Sequence, residues 1–128
     1  MQLCYPAIFH IESDSVWVEF PDLEGCQTFA DTIPEAAESA KEALEAYACS
    51  VLERGIKLPK ASSITSFSVS GSNFTSLVSG NLSGYLTKDR AVKKTLTIPG
   101  WLNDAAISRN INFSQTLQDA LLQKIASE

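Results

Sequence analysis

The chain has 128 residues, with 45% hydrophobic residues, 20% charged residues and a net charge of −5. That length fits one compact domain or two small ones, and the composition is that of a soluble globular protein. No run of about 18 apolar residues is present, which argues against a membrane span, and the acidic balance argues against indiscriminate binding of nucleic acid.

Residues 3–11, rich in Leu, Tyr, Ile and Phe, are predicted as a strand. Ser13-Asp14-Ser15 is a turn signal. Val16 to Phe20 is a second strand with Val16, Val18 and Phe20 on one face and Glu19 on the other. Pro21 ends it, because proline cannot donate to the ladder. Glu24-Gly25 is another turn, and Cys26 to Ala30 a third strand that completes a meander. A helix follows, with Thr32 as N-cap, Glu35 completing a capping box and Pro34 tolerated in the first turn. Ile33, Ala36, Ala37, Ala40, Leu44, Tyr47, Ala48, Val51 and Leu52 form its apolar stripe. Arg54-Gly55 stops it. The stretches 64–70 and 74–79 alternate weakly between apolar and Ser/Thr and are read as two further strands, and 87–91 as a linker.

The last 37 residues change character. Val92 to Ile98 alternates as a strand and stops at Pro99-Gly100. A short helix is expected from Trp101 to Arg109, a turn at Asn110-Ile111-Asn112, and a second helix from Phe113 to Ala126 with Asn112 and Gln115 as a capping box. Phe113, Leu117, Ala120, Leu121 and Ile125 form the apolar stripe of that helix.

Charge is unevenly distributed. Residues 1–60 carry eleven acids and four bases, residues 61–87 no charge, and residues 88–128 six bases and four acids. Such asymmetry suggests two parts with different partners, a basic protein for the acidic part and phosphate for the basic one. Cys4, Cys26 and Cys49 are odd in number and lack a C-x-x-C pair, so neither a disulfide framework nor a zinc site is expected. With no secretory pattern at Met1 to Pro6, a reducing cytoplasm is the expected location.

One strand and two short helices cannot bury enough apolar surface alone, but two copies can. Paired strands would form an antiparallel ribbon over four helices, a ribbon-helix-helix arrangement. Leu96, Ile98, Trp101, Leu102, Phe113, Leu117 and Leu121 would then fill the dimer core. Lys93, Thr95 and Thr97 would project together from the opposite face. Lys and Thr suit major-groove readout, with Lys94 beside them. The start of the second helix, at Phe113 and Ser114, could clamp a phosphate through its backbone N–H groups. An edge strand with solvated Thr and Lys above a dimerising helix pair explains the same pattern without DNA.

In the N-terminal half, Glu12, Asp14, Glu19, Asp22 and Glu24 lie on or near strands. Converging carboxylates could hold Mg²⁺ for a nuclease, but Glu19 faces away from the buried side and Asp22 and Glu24 sit in a turn. A solvated acidic surface is the better reading. His10, the only histidine, has no nearby nucleophile, and no phosphate-binding or zinc-protease motif is present. No catalytic residue and no cofactor are expected.

Tyr5-Pro6-Ala7-Ile8-Phe9, Trp17 to Cys26, Glu35-Ala36, Ala40 to Leu44, Arg54-Gly55 and Pro59 together resemble the HicB antitoxin family. So does the tail, Lys93 to Pro99 with Trp101-Leu102 and Asn112-Phe113-Ser114. The likeness covers residues 3–62 and 85–126. It implies an α+β fold. Residues 1–86 would be a toxin-binding domain of partial ribonuclease-H-like fold without nuclease activity. Residues 92–128 would be a ribbon-helix-helix domain for dimerisation and DNA binding. It implies a HicA toxin partner, a small basic mRNA-cleaving protein, with self-repression through operator DNA. The homodimer could build a larger heteromeric assembly with that toxin. Glu19, Asp22 and Glu24 are the candidate toxin contacts, on charge and resemblance together. Two other readings stay open: a carboxylate-dependent nuclease, and a DNA-binding regulator whose N-terminal domain senses a ligand in an enclosed apolar pocket.

Overall fold

The computed structural model describes residues 2–82 and 91–127. Its first three strands form the expected meander: β1 (Gln2–Ile11), β2 (Val16–Glu19) and β3 (Gln27–Ala30). β4 (Phe74–Asn81) returns to the other side of β1, so the order is β3-β2-β1-β4 and every pairing is antiparallel. With three helices among the described residues this is the mixed α+β fold expected. Pro6 sits within β1 without breaking it. From Gln2 to Ala7 that strand pairs only with β4, so one side of the ladder asks for no donor there.

Alternation divides the sheet into two faces. Leu3, Tyr5, Ala7 and Phe9 of β1, Val16 and Val18 of β2 and Val78 of β4 are buried on the face that receives α1 (Ile33–Glu53). Phe9 and Phe74, paired across β1 and β4, stack at 4.8 Å. Gly80 lets the helix approach. A Cβ there would lie 2.8 Å from Glu45 Cγ and 3.4 Å from Leu44 Cδ2. Glu45 also crosses to β4, accepting the Asn81 N–H at 2.6 Å.

Local chemistry sets the ends of α1. Thr32 Oγ1 accepts the Glu35 N–H at 3.3 Å. At the other end Gly55, with φ +72°, donates to the Leu52 carbonyl and Ile56 donates to the Val51 carbonyl. That is a Schellman closure, and it favours glycine because a Cβ is costly at positive φ. The buried ridge is Ala36, Ala40, Leu44, Ala48 and Val51, with Tyr47 and Leu52 half-buried. Two positions of the expected stripe fall outside it. Ile33, in the first turn, is 46% exposed. Ala37 is exposed because it lies one residue, about 100°, round from Ala36.

The chain after α1 is tied back over the core. Leu58 is buried, the Tyr5 hydroxyl donates to the Pro59 carbonyl, and Ser62 bonds to Asp22. The stretch 64–70, expected as a strand, instead holds a 3-10 turn at Ile64–Ser66. Ser63 Oγ accepts the Thr65 N–H there at 3.3 Å, and such local side-chain bonds compete with ladder formation. The stretch 74–79 is a strand as expected.

The tail contains α2 (Gly100–Ser108) and α3 (Phe113–Ser127). α2 closes like α1, with Asn110 at φ +54° donating to the Ile107 carbonyl and Ile111 donating to the Ala106 carbonyl. Asn112 Oδ1 accepts the Gln115 N–H at 3.0 Å, the N-cap contact expected for α3. Residues 92–98 are not a strand in the single chain. They run without a ladder partner among the described residues, and a strand exists only when another strand satisfies its backbone. Of the expected linker at 87–91, residues 87–90 lie outside the described residues, as does the domain boundary at residue 86.

Candidate partner and nucleic-acid surfaces

The three candidate toxin contacts sit in different environments. Glu19 lies on the face of the sheet opposite α1, with Oε1 3.8 Å from His10 Nε2. His10 in turn stacks on Trp17, ring centroids 3.9 Å apart. Glu24 is exposed in the loop between β2 and β3. Asp22, in the same loop, turns inward. Its two oxygens accept the Ser62 N–H at 2.8 Å and the Ser62 hydroxyl at 2.5 Å. The structure thus gives Asp22 a loop-holding task that no sequence pattern signalled. Its charge also acts on Tyr5, whose hydroxyl is held above its ordinary pKa first by burial and then by that carboxylate.

His10, Trp17 and Phe29 are Cα partners in one rung across β1, β2 and β3. Phe29, on the edge strand, is 77% exposed. It forms one wall of an open groove between β3 and the start of α1, with Pro34 beside it and Asp31, Glu35 and Glu38 on the rim. Sequence reading placed Phe29 in a strand but assigned it no surface. Apolar Phe29 beside polar Thr28 suggests an inward ring, whereas Thr28 and Ala30 are the half-buried positions, so the sequence pattern alone did not signal this surface.

Lys93, Lys94, Thr95 and Thr97 are all exposed, as are Leu96 (62%), Ile98 and Trp101 (73%). Leu102, Phe113 and Leu121 are exposed as well, and Leu117 is half-buried. The expected dimer core is therefore not assembled within one chain. Ser114 is exposed at the start of α3, and its hydroxyl accepts from Gln118 Nε2 at 3.0 Å. Ala126, near the end of α3, packs at the margin of the N-terminal core.

The cysteines are free thiols. Burial pushes the Cys26 thiol up to about 11, which makes it a poor nucleophile. Among the described residues, no three or more His, Cys, Asp or Glu side chains are grouped to hold a metal ion. Nor is any helix among them long and apolar enough to cross a membrane.

Comparison with known proteins agrees with this architecture. The family model for the HicB-like antitoxin of bacterial toxin-antitoxin systems matches residues 5–126. A chain of a toxin-antitoxin complex from Streptococcus pneumoniae is 34% identical, with a TM-score of 0.65 over 97% of this chain and 99% of that one. The antitoxin HicB of Burkholderia pseudomallei, 21% identical, superposes with a TM-score of 0.67 over 95% of this chain and 98% of that one, a likeness of fold. A 14.9 kDa protein of the rep-hol intergenic region of Haemophilus phage HP1 (strain HP1c1) is 34% identical over 65 residues, 51% of this chain. The match spans about half (49%) of that curated relative. The chain belongs to the HicB-like antitoxin family of bacterial toxin-antitoxin systems.

Proposed function

We propose that this chain binds and neutralises a HicA-type mRNA-cleaving toxin through its acidic N-terminal domain. Its tail dimerises as a ribbon-helix-helix and represses its own operon. The observation that carries this reading is the division of the chain. Every buried residue described lies at or before Leu82, whereas every position from 91 to 126 is exposed or half-buried. A tail with that many apolar side chains in water is incomplete alone, and a second copy can complete it. Pairing of two 92–98 segments would bury Leu96 and Ile98 and present Lys93, Thr95 and Thr97 to a major groove, with Lys94 and the Phe113-Ser114 helix start near phosphate.

The toxin half rests on charge and on relatives. Residues 1–60 carry a net −7, suited to a basic protein. One neighbour of similar fold is described as part of a HicA3 and HicB3 toxin-antitoxin complex. Glu19 and Glu24 are the proposed direct contacts, and Asp22 supports them by holding the loop. Recognition of two macromolecules, rather than catalysis, is the proposed activity. Co-purification from the native host tests it: the chain should emerge with a small basic protein encoded beside its gene. Recovery of the chain without such a protein, from cells that express both, would overturn the toxin assignment.

A further inference from the structure

The groove beside Phe29 is an apolar surface with a charged rim. Phe29 and Pro34 line it, and Asp31, Glu35 and Glu38 surround it. Among the described residues none of these three carboxylates makes an ion pair. A ring as exposed as Phe29 on an edge strand leaves apolar surface in water that a partner could cover.

We propose that this groove is the docking site for an arginine- or lysine-bearing segment of the basic toxin. The inference rests on the reading of the chain as the antitoxin of such a protein. The aliphatic stem of the incoming residue would lie on Phe29 and Pro34, and its cationic head would sit among Asp31, Glu35 and Glu38. A cation placed over an aromatic face gains from the ring quadrupole, and long basic side chains cover apolar surface with their stems. A second copy is a poor occupant, because it would bring three carboxylates against three. Operator phosphate is repelled for the same reason.

The test is calorimetric titration of the full chain with the toxin encoded beside its gene, in an inactive form, at two salt concentrations. Phe29→Ser and the double variant Asp31→Asn with Glu38→Gln alter the groove. Glu42→Gln with Glu53→Gln removes equal charge from exposed positions further along α1. Each groove variant should weaken binding by about tenfold or more, as removal of an interface anchor does. The double groove variant should also flatten the salt dependence. The control pair should change affinity by less than about threefold. Thermal melts followed by circular dichroism should coincide with wild type, since all the altered side chains are exposed. Groove variants that bind like wild type, or a control pair that weakens binding as much, would overturn the groove while leaving the antitoxin reading intact. Absence of binding by the wild-type chain would remove both.

Discussion

Asp22 and Ser62 lie forty residues apart and are joined twice, through the Ser62 N–H at 2.8 Å and its hydroxyl at 2.5 Å. The pair fastens the segment after α1 to the β2–β3 loop, beside the Tyr5 bond to the Pro59 carbonyl. Removing the carboxylate orphans a backbone donor as well as a hydroxyl. Asp22→Ala should therefore cost about 1–2 kcal/mol in urea unfolding, and Ser62→Ala less, because the backbone bond survives. The double variant should cost less than the sum. Additive losses would mean that the two residues do not act on each other.

Gly80 sets how near α1 comes to β4. A Cβ at 2.8 Å from Glu45 Cγ must displace a side chain that also accepts the Asn81 N–H. Gly80→Val should cost about 1–3 kcal/mol through overpacking. Gly80→Ala should cost less, since Glu45 can rotate away at the expense of its hydrogen bond. A Gly80→Val chain with wild-type stability would show that the helix is not held at this distance.

Much of the N-terminal fold was legible because its signals are local. Alternation gave the faces of β2, and the Thr32 and Gly55 signals bounded α1. The stripe of α1 was read too wide, because periodicity cannot tell where the sheet beneath the helix ends, and Ile33 projects past it. In the tail both helices were legible from their caps and stripes, and only the strand before them is absent from the single chain. Its alternation at Val92 to Ile98 describes a strand only if a partner supplies the second half of the ladder. The same pattern is therefore consistent with an open, exposed segment in one chain. Asp22 was legible as an acid in a turn, but its partner forty residues away was not. Long-range hydrogen bonds leave no periodic trace.

Alkaline pH should destabilise the fold in a defined window. Cys26 has its pKa raised from an ordinary 9.0 to about 11 by burial, and Tyr5 is raised by burial and by Asp22. The unfolded chain thus loses these protons first. Their contribution is fully present below about pH 9 and is lost as pH rises through about 11. The urea midpoint should fall across that range, and less steeply in Cys26→Ala. Exposed Cys4 should react with a thiol reagent at pH 8 far sooner than Cys26. Equal reactivity would contradict the burial of Cys26.

The tail should be a dimerisation and operator-reading unit. Light scattering is expected to show a dimer at micromolar concentration, and Leu96→Lys should give a monomer that no longer shifts operator DNA. Thr95→Ala or Thr97→Ala should leave the dimer intact and cost about 1–3 kcal/mol on the specific site if the hydroxyl reads a base. Lys93→Ala should reduce the salt slope by about one per phosphate contact. A triple alanine variant of Lys93, Thr95 and Thr97 with wild-type operator affinity would exclude the ribbon as the reading surface.

The most direct measurement is inhibition of RNA cleavage by the HicA-type toxin proposed as the partner. Full-length chain is titrated into active toxin while cleavage of a messenger RNA is followed. The account predicts complete, saturable inhibition at a fixed ratio of the two proteins, with no cleavage by this chain alone. Toxin that cleaves at an unchanged rate in a large excess of correctly folded chain would contradict it.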